Sequence, residues 1–259
     1  MRNLYGILAA LLLVTGIGVA STGKYGARIK QGNGEGFALV ELYTSEGCSS
    51  CPPADKLLAK ITKEYKDKEV YVLAYHVDYW NRLGWKDVFS NPLYSERQRT
   101  YSSYLKLDGV YTPQAIVNGQ TEFVGSDEAK MNTAIKQALA KAAPARLELS
   151  NLKINGSKAI LQYHVSGTPG GSNLMLAVIK KYAQTQVKAG ENNGRMLSHI
   201  NIVQRLESIV LKNNAGSAEI ALPNNFNNKD WDIIGFVQVK STGEIRIAAS
   251  TESALKEKS

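Results

Sequence analysis

The hydrophobic and polar positions in the first half of the chain alternate between short apolar runs and helical periodicity. Residues 37–43 are mostly apolar and lie between glycine-containing segments, which predicts a buried β-strand. From Pro52 onward, apolar residues recur at spacings of three and four with lysines opposite them, which predicts an amphipathic helix. Residues 70–77 form a second apolar run. The order strand, helix, strand predicts a parallel βαβ unit.

Two further helices and a hairpin are predicted before residue 144. Asn91 and Pro92 make a favourable helix start, because Asn caps well and Pro suits the first helical position. The dipeptide Asn118-Gly119 favours a tight hairpin turn. The predicted elements are a helix over 92–107, hairpin strands over 112–117 and 120–124, and a helix over 127–142.

After Pro144 the periodicity changes to the alternation typical of β-strands, with Gly- and Asn-rich turns between them. Strands are predicted over 146–154, 159–165, 174–182, 200–211, 217–222, 231–240 and 244–249. We therefore expect an α/β domain over residues 36–143 and an all-β, sandwich-like domain over 145–250, followed by a polar tail over 251–259.

The N-terminus has the pattern of an export signal. Arg2 precedes a long apolar stretch, small residues lead up to Ala20, and the chain then becomes polar. This predicts a signal peptide over 1–20, a flexible leader over 21–35, and a periplasmic or secreted protein with no membrane span after cleavage. The alternative is an uncleaved N-terminal membrane anchor, although the apolar run is shorter than the roughly 20 residues that a span prefers.

Composition and charge narrow the possible functions. The chain has 259 residues and a formal net charge of +8, but its Lys and Arg residues are dispersed among acidic ones. It has no zinc-finger or basic-helix pattern, so we expect no nucleic-acid partner. It also has no phosphate-binding loop or catalytic-triad motif, and we expect no cofactor.

The motif that carries chemistry is the pair Cys48 and Cys51, the only two cysteines of the chain. They lie between the end of the first predicted strand and the start of the first predicted helix, and either position is compatible with the helix cap. A helix N-terminus stabilises a thiolate and lowers its pKa from about 8.5. We expect Cys48 to be exposed and to attack, and Cys51 to be shielded and to resolve the mixed disulfide. The carboxylate of Glu46, two residues before Cys48, disfavours the negatively charged thiolate of Cys48.

Two more residues suit the same chemistry. Pro113, just before a predicted strand, is placed where a cis-proline would bring extended backbone against the sulfur pair. Glu41 is an acid within an apolar strand, which is costly to bury without a partner or a role. Two hypotheses for Glu41 stay open: it accepts the proton of Cys51, or it pairs with a lysine or points to solvent at a sheet edge.

Four segments together resemble a largely uncharacterised family of secreted bacterial proteins with a thioredoxin-like N-terminal domain. These segments are 40–55, which contains Gly-Cys-Ser-Ser-Cys-Pro-Pro-Ala-Asp, together with 76–80, 111–114 and 190–195. The resemblance implies an α/β thioredoxin-like fold, a mixed sheet with flanking helices, for the first domain. It also implies Cys48 as attacking thiol, Cys51 as resolving thiol, Pro113 as the cis-proline and Glu41 near the place of the buried acid. Gly47 stands where thioredoxins usually have an aromatic residue.

The sequence therefore predicts an exported thiol–disulfide oxidoreductase. We expect a monomer whose partner is an exported protein bearing a thiol or disulfide, or another redox protein. One alternative is a structural disulfide in a binding or adaptor protein, although so short a loop gains little stability from a cross-link. The other is a Cu(I)- or Zn-binding thioredoxin-like protein with Cys48, Cys51 and His76 as metal ligands.

Overall fold

The computed structural model describes residues 36–167 and 170–251. These residues form a mixed α/β part followed by a β part, with a 3-10 turn at Asn81–Leu83. The elements are β1 (Ala38–Thr44), α1 (Pro52–Glu64), β2 (Val70–His76), α2 (Pro92–Leu105), β3 (Gln114–Val117), β4 (Thr121–Val124), α3 (Glu128–Ala140), β5 (Arg146–Asn155), β6 (Lys158–Ser166), β7 (Ser172–Gln186), β8 (Met196–Val210), β9 (Ala215–Ala221), β10 (Trp231–Val239) and β11 (Ile245–Ser250). The predicted strands and helices are all present.

The largest differences from the sequence prediction are in β7 and β8. Each is four residues longer than predicted at the end where the two strands meet, so they form a long antiparallel arm. The pattern there still alternates, with Ala183 and Leu197 buried and Gln184 and Ser198 exposed. The loop at the tip of the arm is hydrogen-bonded to the segment that contains Cys48.

A single eight-stranded sheet runs through both parts of the chain, in the order β11-β10-β7-β8-β2-β1-β3-β4. β1 and β2 pair in parallel, as the βαβ pattern predicts, and β3 pairs antiparallel with β1. β8 pairs with the other side of β2, parallel to it, at the single residue pair Ala74 and Ile202. The β part thus covers an edge of the α/β part that would otherwise expose unpaired backbone groups.

A second sheet, β5-β6-β9, packs against the β part of the large sheet. Its inward-facing apolar side chains meet those of β7 and β10 in one core, in the sandwich-like arrangement expected for this part of the chain. Buried side chains from the two layers include Leu149, Leu161, Val165, Leu176, Val178, Ile220, Ile233 and Val237.

The two faces of β1 belong to different cores, because successive side chains of a strand point in opposite directions. Val40 and Leu42 pack with residues of α1 and α3. Leu39 and Tyr43 pack with residues of α2 and with Phe236 and other residues of the β part. The second core is shared by both parts of the chain, so they are joined by packing as well as by the sheet.

Some predictions fall outside the described residues. The proposed signal peptide over 1–20, the leader over 21–35 and all of the polar tail after Thr251 are among them. Within the described ranges no helix is long and apolar enough to cross a membrane.

Candidate functional site

Cys48 and Cys51 lie at the start of α1 and are joined to each other in a disulfide. β1 ends at Thr44, and the cysteine loop, residues 45–51, connects it to the helix. Cys51 is the residue at the N-cap, and its carbonyl oxygen accepts hydrogen bonds from the backbone N–H groups of Ala54 and Asp55. Cys51, and not Cys48, is therefore the cap residue of α1.

Both cysteines are fully buried, whereas the two serines between them are exposed. The prediction of an exposed Cys48 is therefore wrong for the oxidised protein. The β7–β8 loop, residues 187–195, lies against the cysteine loop. In it the Asn192 side-chain amide donates to the carbonyl oxygens of Glu46 and Cys48, each at 2.9 Å.

A neighbouring residue of the β7–β8 loop makes a third contact with the cysteine loop. The Glu191 carboxylate accepts a hydrogen bond from the backbone N–H of Ser49 at 3.0 Å. This contact lowers the pKa of Glu191. The 190–195 segment, which sequence analysis singled out as part of the family resemblance, thus lies against the cysteine loop.

Pro113 lies beside the cysteine loop, and its peptide bond with Thr112 is cis, as predicted. The Ser50 hydroxyl donates to the Thr112 carbonyl oxygen at 3.4 Å, and the Trp80 indole N–H donates to the Thr112 hydroxyl at 2.8 Å. Trp80 also packs against Gly47, where an added Cβ would lie 3.0 Å from the Cβ of Trp80. The cysteine loop is therefore held between this tryptophan and the Thr112–Pro113 turn.

Glu41 is buried, but neither hypothesis for it is correct. Its side chain lies on the face of β1 that packs with α2, whereas α1 packs on the opposite face. It forms an ion pair with Arg97 at 2.7 Å and accepts a hydrogen bond from the Tyr101 hydroxyl at 2.5 Å. Arg97 also donates to Gln238 of β10, so this buried pair links the two parts of the chain rather than serving Cys51.

A second group of buried charges does flank the cysteines. His199 of β8 lies between two carboxylates, with Nε2 3.5 Å from Glu46 and Nδ1 3.5 Å from Asp55. Glu46 precedes Cys48 by two residues, and Asp55 follows Cys51 by one helical turn. We call these three residues the Glu46–His199–Asp55 cluster.

Further hydrogen bonds hold the two carboxylates of this cluster in place. The indole N–H of Trp85 donates to Glu46 at 2.8 Å, and the hydroxyl of Thr44 donates to Asp55 at 3.3 Å. Burial would lower the pKa of His199, but its contacts with Asp55 and Glu46 outweigh this effect and raise the pKa to about 9. His199 is therefore a cation at neutral pH.

A second imidazole–carboxylate pair adjoins the cluster. His76 Nδ1 lies 2.7 Å from Asp87, and its ring meets that of His199 edge-on with centroids 4.7 Å apart. Burial would raise the pKa of Asp87, but His76 and the backbone N–H groups of Glu46 and Phe89 lower it overall. Asp87 is consequently a carboxylate that anchors both His76 and the cysteine loop.

The alternative metal site of Cys48, Cys51 and His76 is not assembled in this structure. The two sulfurs bond to each other, and His76 is directed to Asp87. Within the described ranges, no group of three or more His, Cys, Asp or Glu side chains is arranged to hold a metal ion.

Sequence analysis missed the role of His199 and Asp55, and it treated Glu46 only as an unfavourable neighbour of Cys48. His199 lies in the part of β8 that was not predicted as strand. The alternation of buried Leu197, exposed Ser198 and buried His199 is the signal that would have placed its side chain inside.

Comparison with known proteins assigns the chain to a family. The family model described as a protein of unknown function (DUF1223) matches residues 39–238, which include the whole site. The chain belongs to this family. No curated protein sequence matches it.

Solved structures similar to this DUF1223 protein include the crystal structure of protein AGR_C_4864 from Agrobacterium tumefaciens. The two are 27% identical with a TM-score of 0.63, and the match covers 82% of this chain and 92% of that one. A domain of the outer membrane lipoprotein Omp28 from Porphyromonas gingivalis matches at 12% identity and a TM-score of 0.29, over 42% of this chain and 86% of that one. The first of these comparisons supports the overall fold.

Proposed function

We propose that this DUF1223 protein is an exported thiol–disulfide oxidoreductase whose α/β part is thioredoxin-like. The observation that carries the proposal is the position of the Cys48–Cys51 pair. It lies at the junction of a central parallel strand and the helix that follows, with the Thr112–Pro113 turn beside it. A cysteine at the start of a helix lies at the positive end of the helix dipole, which favours its thiolate once the disulfide is reduced.

The proposed reaction is a two-step exchange. The Cys48 thiolate attacks a substrate disulfide, forms a mixed disulfide and releases one substrate thiolate. The Cys51 thiolate then attacks the sulfur of Cys48, which releases the second substrate thiolate and leaves the Cys48–Cys51 disulfide. The two electrons that reduce the substrate come from the two cysteines, and an external dithiol restores them. In the opposite direction the protein oxidises a substrate dithiol.

Partner and location follow from the same proposal. The substrate is an exported protein with a thiol or disulfide, or another redox protein, in an oxidising compartment where such bonds persist. We expect the mature chain to act as a monomer. Because Cys48 is fully buried in the oxidised protein and the β7–β8 loop is hydrogen-bonded to the cysteine loop, the proposed reaction requires a movement that exposes Cys48 to a substrate sulfur.

One observation favours a second candidate function, a structural disulfide in a binding protein. Both cysteines are fully buried and the β7–β8 loop is hydrogen-bonded to the loop that carries them, as expected of a bridge that only fastens a turn. Against it, a loop closed by only three residues of separation gains little from cross-linking. The two functions differ in whether the bridge exchanges with thiols.

Insulin reduction tests the proposal directly. The mature protein, supplied with dithiothreitol, is expected to accelerate insulin precipitation. Cys48→Ser should abolish the acceleration, because the attacking sulfur is gone, and Cys51→Ser should accumulate a mixed disulfide with insulin that is visible on a non-reducing gel. Ser49→Ala, an exposed position between the cysteines, is the matched control and should remain active. A wild-type rate equal to that of dithiothreitol alone would refute the proposal.

A further inference from the structure

Three loops from distant parts of the chain meet at the cysteine pair. The cysteine loop is hydrogen-bonded to the β7–β8 loop through Asn192, and to the β2–α2 loop, residues 77–91, through the indole of Trp85. The β7–β8 loop and the β2–α2 loop also meet each other, because an added Cβ at Gly190 would lie 3.3 Å from the Cβ of Trp85. A substrate that reaches the disulfide therefore comes within range of the charges on all three loops.

The β2–α2 loop turns its acids inward and its cations outward. Asp87 is buried, and Asp78 is half-buried and accepts a hydrogen bond from a serine hydroxyl of α2. Arg82 and Lys86, in contrast, are exposed. The charge that this loop presents to solvent is therefore positive.

The β7–β8 loop presents charge of the same sign. Lys188 and Arg195 are exposed, and the Arg195 guanidinium donates a hydrogen bond to the side-chain oxygen of Asn192 at 2.6 Å. Because Asn192 in turn donates to the carbonyl oxygen of Cys48, this cation is two hydrogen bonds away from the backbone of the attacking cysteine. The exposed acid of the loop, Glu191, is engaged with a backbone N–H of the cysteine loop.

The exposed charges of the three loops are four cations and one carboxylate, an excess of three positive charges. The cysteine loop adds none, because its one acid, Glu46, is buried. The segment 106–113, which contains the cis-proline, exposes Lys106 and Asp108 and is neutral overall. We call the four cations of the β2–α2 and β7–β8 loops the basic rim: Arg82, Lys86, Lys188 and Arg195.

We propose that the basic rim selects an acidic segment of an exported protein as the substrate of the cysteine pair. This inference rests on the proposed oxidoreductase function and names its substrate class. Aspartate and glutamate side chains that flank the substrate cysteine are attracted by the rim, and complementary charge raises the rate of encounter. The β2–α2 loop also exposes Leu83 and Val88, which give a polypeptide apolar contacts that a small anion cannot use.

The test compares three synthetic peptides of equal length, each with a single cysteine joined by a disulfide to 2-thiopyridine, which is uncharged. The cysteine is flanked by glutamates, by lysines or by serines. The Cys48 thiolate of the reduced protein attacks the peptide sulfur, the bond from that sulfur to the thiopyridine breaks, and the electron pair leaves on 2-thiopyridone, whose absorbance gives the rate. Each rate is divided by that of the same peptide with dithiothreitol, an uncharged thiol, which corrects for the reactivity of the peptide itself.

At low salt we expect the reduced protein to react with the acidic peptide about tenfold or more faster than with the basic one. High salt should reduce this preference to less than about threefold, because it screens the charges. A rim variant that combines Arg82→Gln, Lys86→Gln and Lys188→Gln should lose most of the preference at low salt. Arg195 is unchanged in this variant, because it also orients Asn192.

The control variant separates the rim from the overall positive charge of the protein, which also attracts an acidic peptide. It removes three exposed lysines from α3, β5 and the segment before β10: Lys136→Gln, Lys153→Gln and Lys229→Gln. Its net charge equals that of the rim variant, and it should keep the preference of the wild type. An equal loss of preference in the two variants would overturn the proposal, because the overall charge would then explain it.

The remaining outcomes separate the substrate class from the function on which it rests. Equal rates for the three peptides, all lost in Cys48→Ser, would overturn the acidic substrate while leaving the oxidoreductase intact. If in addition the wild type and the control variant sediment with phosphatidylglycerol vesicles and the rim variant does not, the rim binds an anionic lipid surface instead. Rates that are unchanged by Cys48→Ser would overturn the proposed function itself, and the substrate class with it.

Discussion

The raised pKa of His199 predicts that the oxidised protein loses stability in mildly alkaline solution. In the folded protein the pKa is about 9, against an ordinary value of 6.5. A group whose pKa rises on folding stabilises the fold fully below its unfolded pKa, and this contribution disappears as the pH rises through the folded pKa. With about 1.4 kcal/mol for each pKa unit, we expect a loss of about 3 kcal/mol between pH 6.5 and pH 9. This is a large part of the stability of an ordinary domain.

Urea unfolding at several pH values, followed by tryptophan fluorescence with the disulfide intact, measures this loss. His199→Gln cannot titrate at this position, so its free energy of unfolding should be nearly constant over the same interval. His164→Gln should keep the wild-type slope, because that histidine is exposed. A wild-type stability that does not change from pH 6.5 to 9, or an equal decline in the His199 variant, would refute the charge assignment on which the cluster depends.

Three further predictions concern the contacts between the two parts of the chain. Arg97→Met leaves the buried carboxylate of Glu41 without its cation, and chemical unfolding should show a loss of about 3–5 kcal/mol. Glu191→Ala removes the hydrogen bond to the Ser49 backbone, so reduction of the disulfide by dithiothreitol, followed by thiol release, should become severalfold faster. Gly119→Ala places a Cβ 2.0 Å from a backbone oxygen of the β10–β11 turn at a residue with φ of +69°, and thermal unfolding should show a clear destabilisation.

Each of these changes has a matched control. Arg99→Met alters an exposed arginine of α2 and should change the free energy of unfolding only slightly. An equally small change for Arg97→Met would contradict the ion pair of Arg97 with Glu41. Asn193→Ala changes an exposed residue of the β7–β8 loop and should leave the rate of disulfide reduction unchanged. If the disulfide of Glu191→Ala is reduced no faster than that of Asn193→Ala, the contact between Glu191 and Ser49 does not protect the disulfide. Gly156→Ala, with φ of +57° but no atom within 4 Å, should show only the backbone cost of roughly 1–2 kcal/mol.

Local patterns in the sequence were sufficient for the elements and for the centre of the site. The apolar run before the cysteines, the periodicity after Pro52 and the Asn118-Gly119 turn each depend on a few neighbouring residues, and each led to the observed element. The position of the cysteine pair at the start of α1 and the cis-proline at 113 followed from the same local features.

The surroundings of the site were not predictable in this way, because they depend on strands that pair across a long stretch of chain. No local pattern indicates that β8 lies beside β2, yet this pairing carries His199 to Glu46 and Asp55. The hydrogen bond of Asn192 to the Cys48 carbonyl oxygen likewise joins residues that are 144 positions apart in the chain.

The partners of Glu41 also could not be predicted from the local sequence. Its partners Arg97 and Tyr101 are one helical turn apart on α2, a spacing that places them on one face of that helix. Only the packing of α2 on β1 shows that this face meets Glu41.

The reduction potential of the Cys48–Cys51 pair tests the central claim most directly. The protein is equilibrated with mixtures of reduced and oxidised glutathione, and the fraction with free thiols is measured after acid quenching and alkylation. We predict a potential within the range of exchange enzymes, roughly −120 to −270 mV. A potential below about −300 mV would contradict it and would identify the bridge as structural.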